Sequence, residues 1–197
     1  STTTIDHVGL VATDVAALRA AYTRLGFTVS AATPVTQPDP DGKREISLGL
    51  VSAHVAFPST CIELTAVRHP GQGCHLDRWL AKGEGLRVMG LKTSDIARAY
   101  SELLAAGLIL PPIRTSSRRI TGNGVKGIAQ MRWFELPESI AREGFTCVIQ
   151  HDTPELVYDP RLSAHANGAL GIRSVFAVVE NMDEAFSRYH RLPGTKR

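Results

Sequence analysis

Two side chains in this 197-residue sequence are hard to explain as packing alone. His7 interrupts the apolar, β-branched run IDHVGLV, where a buried strand would sooner carry an aliphatic residue. Glu63 stands in the middle of the β-prone run CIELTAV. Side chains alternate along a strand, so Glu63 should face away from Ile62 and Leu64. A carboxylate there needs a charge partner, a metal or water. An imidazole and a carboxylate form a reasonable donor pair for Zn, Fe(II), Ni or Mn, which makes His7 and Glu63 candidate metal ligands. Alternatively, if burial raises its pKa, Glu63 is a candidate catalytic base for removing a proton next to a carbonyl. One carboxylate rarely serves as ligand and free base together. A strand histidine can also be a core residue satisfied by a neighbouring loop.

These residues have to be positioned by a unit that recurs. Residues 4–30 read as a strand, a helix and the start of a second strand. Asp14 has the short acceptor of a helix N-cap. Val15, Leu18, Tyr22 and Leu25 form an apolar stripe at helical spacing, and Gly26 closes the helix. Residues 34–43, with three prolines and an Asp-Gly pair, read as a loop. Residues 46–58 hold one or two strands, residues 60–67 another, and residues 75–82 a short helix. The order is βαβββ.

Placing Leu86 under Ile5 puts Gly9 on Gly90, Asp14 on Asp95 and Gly26 on Gly107, so cap, stripe and closing glycine all return. The second copy continues through a hairpin around Gly122-Asn123-Gly124 to the run FTCVIQH at residues 145–151. A third start places Val8 on Val175, Val11 on Val178 and Tyr22 on Tyr189. The expected division is residues 1–85, 86–159 and 160–197, the last a strand and helix only. That partial unit must pack on the second copy, pair with another chain or belong to a longer protein, and the last is favoured. Its open edge makes a homodimer an expectation as well.

The bulk numbers agree with a globular chain: 43% hydrophobic, 21% charged, net charge +3. No basic stripe suggests nucleic acid, and no apolar run is long enough for a membrane span. Cys61, Cys74 and Cys147 are widely spaced and read as reduced thiols, which favours the cytoplasm. There is no glycine-rich nucleotide motif after a strand and no Ser/His/Asp arrangement, so no nucleotide cofactor is expected.

The runs IDHVGLVATDVAALRAAYTRLGF, CIELTAV, GIAQMRWFELP, FTCVIQHD and HANGALGIRSVFAVV together resemble the vicinal-oxygen-chelate superfamily, and within it the glyoxalase-like domain proteins. The resemblance implies an α+β fold in which paired βαβββ modules enclose a curved-sheet cleft. It also implies a divalent metal that chelates substrate oxygens, with ligands on the first and fourth strands of each module. His7 and Glu63 match those positions in the first module. In the second they match Val88, which cannot ligate, and Gln150, a weak ligand, so the ligand set is incomplete. His54 and Trp133 coincide when the third strands are aligned, and with Gln150 they are the expected substrate-binding residues. His151 should point away from the cleft. The partner implied is a small organic molecule with vicinal oxygens, acted on by an isomerase, lyase or dioxygenase. The alternative is a metal-free, non-catalytic ligand-binding or drug-sequestering protein, favoured by the loss of the second module's ligands.

Overall fold

The computed structural model describes residues 4–39, 41 and 43–192. The first module contributes β1 (Thr4–Ala12), α1 (Val15–Arg24), β2 (Thr33–Pro38), β3 (Glu45–Ala56), β4 (Cys61–Val67) and the short α2 (Asp77–Leu80). The second contributes β5 (Gly85–Lys92), α3 (Ile96–Ala105), β6 (Arg114–Gly122), β7 (Val125–Glu135) and β8 (Phe145–His151). Then follow α4 (Pro154–Val157), a 3-10 turn at Pro160–Leu162 and α5 (Met182–Tyr189). The architecture is α+β, as the repeat implies. The sheet order is β1-β4-β3-β2-β6-β7-β8-β5, closed into a barrel.

The same local chemistry forms the frame of each copy. Asp14 accepts from the Ala16 and Ala17 N–H groups at the start of α1, and Asp95 accepts from Arg98 N–H at the start of α3. Asn181 accepts from Glu184 N–H at the start of α5. These side chains satisfy donors that the first helical turn leaves free. Gly26 and Gly107 follow α1 and α3 at φ 85° and 77°, a left-handed conformation that costs glycine little. The Asn123-Gly124 turn between β6 and β7 also has positive φ at both residues, as a two-residue hairpin requires.

The two modules meet along two seams of unequal strength. β1 and β5 pair antiparallel over most of their length, whereas β2 and β6 share the single pair Thr36↔Ser117. The second seam accounts for a difference from the sequence reading. Residues 34–38 form strand β2 rather than loop, although Pro34 and Pro38 lack an N–H. β3 pairs fully with one side of β2, while β6 on the other side shares a single ladder pair and side-chain hydrogen bonds from Thr33 and Thr36, so the proline positions lose few ladder bonds.

One apolar cluster fills the barrel and reaches α2 through Trp79. Another lies outside, where Ile96, Ala99 and Leu103 of α3 pack on Phe134 and Val148. Of the strand and helix expected to start a third copy, only helix α5 forms among the described residues, and it docks beside Ile140 and Glu143. Its companion strand forms no ladder among the described residues, and Phe176 and Val178 are 89% and 99% exposed. No helix among the described residues is long and apolar enough to cross a membrane.

Candidate active site

All eight strands send side chains into one cavity, with an empty volume of about 730 Å³ including its solvent-filled mouth. Leu50, Leu76, Val88, Trp133, Phe145 and Ile149 make the walls mainly apolar. Against them stands one polar group: Asp6, His7, His54, Glu63, Arg118 and His151, with His75 and Ser116 nearby.

His7 owes its position to an irregularity and a glycine. Between Ile5 and His7 the β1–β5 register slips by one residue, a bulge at Asp6. A bulge re-aims side chains, and here two consecutive residues, Asp6 and His7, both reach the cavity. The imidazole lies directly over Gly90, where an added Cβ would stand 2.2 Å from Cε1 and Nδ1. The pseudo-symmetric contact is Val88 over Gly9, with an added Cβ 2.7 Å from the valine Cβ. The glycine repeated in both copies is therefore the seat for the residue that faces it.

Asp6 is buried and holds the cluster together. Its carboxylate accepts from His7 Nδ1 at 2.8 Å, from His151 Nε2 at 3.1 Å and from the Tyr158 hydroxyl. Burial by itself would raise its pKa, but the hydrogen bonds from His151 and His7 hold it well below the usual carboxylate range. In return, although burial disfavours charge on His7, its hydrogen bond to Asp6 and the nearby Asp6 and Glu63 charges raise its pKa above 6.5. His7 Nε2 faces Glu63 Oε2 at 3.9 Å. Glu63 is held from behind by the Ser52 hydroxyl, which donates to Oε1 at 3.0 Å.

His54 Nε2 stands 4.0 Å from Glu63 Oε1, while Nδ1 contacts Arg118 Nη1 at 2.9 Å. Arginine only donates, so Nδ1 is the acceptor and the neutral ring carries its proton on Nε2. Burial, with the Arg118 charge adding to it, pushes the His54 pKa well below 6.5. Burial likewise takes His75 down to about 4. The thiols of Cys61 and Cys147 line the cavity, but burial raises both pKa values and leaves them poor nucleophiles.

The expected residues divide cleanly. His7, His54, Glu63 and Trp133 line one cavity, with Trp133 Nε1 donating to the Ser116 hydroxyl at 2.6 Å. Gln150 is placed elsewhere. Its amide oxygen accepts from Ile96 N–H at 2.9 Å and helps to cap α3. The inward positions of β8 are Phe145, Cys147, Ile149 and His151, so His151 faces in, contrary to the expectation from alternation. The sequence does not single out Asp6, Arg118 or Tyr158 as site residues. The signal for Asp6 is its place in an apolar strand beside His7, masked because alternation sends neighbours to opposite faces.

The donor set can be tested against a divalent metal. His7, with Nδ1–H committed to Asp6, offers a free Nε2 when neutral, and Glu63 offers oxygen. His54 presents N–H rather than a lone pair, and a guanidinium stands beside it. Among the described residues no group of three or more His, Cys, Asp or Glu is arranged to hold an ion. The residues present do not fit a resident divalent metal.

A barrel of paired βαβββ modules around a polar-tipped cavity is the arrangement expected of a glyoxalase-like domain. The glyoxalase-like domain family model matches residues 5–193, and the chain belongs to that family. Comparison with curated proteins gives no match. Among solved structures, the chain is similar to a variant of Streptomyces coelicolor methylmalonyl-CoA epimerase in complex with 2-nitronate-propionyl-CoA, with a TM-score of 0.52 and 19% identity over 77% of this chain and 99% of that one. A hypothetical protein from Staphylococcus aureus gives 0.58 and 12%, over 77% and 60%. The hypothetical protein BH1468 from Bacillus halodurans C-125 gives 0.52 and 17%, over 76% and 95%. At these identities the likeness is one of fold.

Proposed function

We propose that the cavity binds a small carbonyl compound and moves a proton at the carbon next to the carbonyl, an isomerase- or lyase-type reaction. The observation that supports this best is the His7–Glu63 pair, 3.9 Å apart in a mainly apolar chamber, with His7 backed by the buried Asp6. Glu63 takes the C–H proton. The electron pair moves onto the carbonyl oxygen, and the resulting enolate accepts a hydrogen bond from His7 Nε2–H, present while the ring is an imidazolium. Glu63 then returns its proton to carbon. Positioned acid–base groups of this kind contribute on the order of 10²–10⁴ in rate. No metal is required by this set of residues. The fold of the epimerase neighbour is compatible with the reading without specifying a substrate.

The test is deuterium wash-in from D2O, followed by NMR on a panel of small ketones, hydroxyketones and thioesters. Wild type should exchange the proton next to the carbonyl of at least one compound. Glu63→Gln and His7→Asn should each lose about 10²-fold or more. The rate should fall as pH rises through the raised pKa of His7, because the imidazolium donor is lost. Protein purified without chelators should carry no stoichiometric Zn, Fe, Ni or Mn, and EDTA should leave the exchange unchanged. Stoichiometric metal that disappears in His7→Ala would restore the metal-dependent reading. Ligand binding without exchange in any panel member would favour the non-catalytic one.

A further inference from the structure

We infer that Arg118 is an anion anchor, and that the cavity takes a small monocarboxylate whose carbon chain lies against Leu50, Trp133 and Phe145. That such a compound is also the substrate rests on the proton-transfer reading; the anion site itself stands on the guanidinium. Arg118 lies on the inward face of β6, two residues from Ser116, and both line the cavity. A guanidinium carries five N–H donors. Among the described residues, the hydrogen bond to His54 Nδ1 is the only one Arg118 makes, and no carboxylate lies within 4.0 Å of it.

Other arginines of this chain that hydrogen-bond to side chains rest on carboxylates. Arg132 lies on Asp152, Arg161 on Asp159 and Arg188 on Glu143. The two carboxylates nearest in the cavity are engaged. Asp6 is taken by His7, His151 and Tyr158, and Glu63 by Ser52 with His7 facing it. Arg118 is half-buried, so the donors it does not spend on His54 open to the water of the cavity, which an incoming anion would replace. Burial accordingly lowers the Arg118 pKa.

The chemistry of that group follows from the surroundings. A planar carboxylate matches the guanidinium fork with two parallel hydrogen bonds. A dianion such as phosphate would meet the Asp6 and Glu63 charges in the same chamber. Apolar walls suit a short hydrocarbon chain. Arg118 and His54 also line a second cavity, beside residues 28–31.

Isothermal titration with hexanoate and its neutral counterpart hexanamide tests the anchor without any turnover. Wild type should bind hexanoate about 10- to 100-fold more tightly than hexanamide. Arg118→Gln should remove that preference while hexanamide still binds, which also shows the cavity intact. Arg118→Lys should keep part of the preference. Glu63→Gln should keep the preference or increase it, because it removes a negative charge from the chamber, so a failure of the base and a failure of the anchor remain distinct. Equal binding of the two probes to wild type overturns the inference, as does no binding of hexanoate or a preference that survives Arg118→Gln. If Arg118→Gln does not fold, the wild-type and Arg118→Lys titrations still decide. Inorganic phosphate displacing hexanoate at lower concentration than acetate would overturn the choice of a carboxylate.

Discussion

Gly90 carries a requirement that belongs to His7. The imidazole occupies the space where a side chain at residue 90 would begin, so Gly90→Ala must displace the ring. Overpacking of this sort costs about 1–3 kcal/mol. Gly9→Ala meets Val88 in the same way and should cost a similar amount. The two should differ at the site. In Gly90→Ala the His7 imidazole signal should move and its pKa fall toward 6.5, because the ring leaves Asp6. In Gly9→Ala the His7 titration should be retained. NMR titration of the imidazole with thermal melts of both variants checks this, and equal His7 titrations would refute the seat. His7 and Glu63 could be singled out in the sequence because a polar residue in a β-branched run is conspicuous. Arg118 could not, since an Arg-Arg pair in a polar strand looks like a solvated face until the barrel closes around it.

At the scale of elements, helix caps and turn glycines were legible because they are local. Asp14, Asp95, Gly26, Gly107 and Asn123-Gly124 act within a few residues of their own positions. Gln150 is the opposite case. It acts on α3, 54 residues away in sequence, and its spacing within β8 suggested a ligand position instead. Gln150→Ala should cost about 1 kcal/mol through the lost acceptor at Ile96 N–H. It should leave hexanoate binding and deuterium wash-in unchanged, as denaturant melts and titration together would show. A loss of binding without a loss of stability would return Gln150 to the site. β2 reads as a loop for a related reason: its prolines argue against a central strand, and only the β2–β6 seam reveals that one side of it carries a single ladder pair.

Across the whole molecule, residues 159–192 tie the modules together. His165 accepts from Thr28 N–H through Nδ1 and donates to the Ala56 carbonyl through Nε2, both in the first module. Asn167 donates to the Leu25 carbonyl. At the other end, Glu143 of the second module accepts from Arg188 at 3.2 Å and from the Tyr189 hydroxyl at 2.7 Å, fastening α5. Burial alone would raise the Glu143 pKa, but the Arg188 and Tyr189 hydrogen bonds bring it down to about 2 from 4.5. A carboxyl with a depressed folded-state pKa stabilises the fold fully above its unfolded value and loses that contribution as pH falls through the folded one. The clasp should therefore hold above about pH 4.5 and weaken toward pH 2. NMR should show α5 signals moving toward coil values in that window, and in Glu143→Gln already at neutral pH. An α5 that stays ordered in both conditions would mean that apolar packing through Tyr189 and Leu192 suffices.

By itself the sequence determined the strand-cap-helix frame and the α+β class and made His7 and Glu63 conspicuous, because propensity, capping and alternation are decided within a few residues. Tertiary structure alone decided which residues share the cavity. The bulge at Asp6, the inward turn of His151, the seat on Gly90 and the placing of Arg118 in the cavity beside His54 each depend on strands far apart in sequence meeting in one register. That register is fixed when the sheet closes, since burying one apolar face selects a single pairing of the strands.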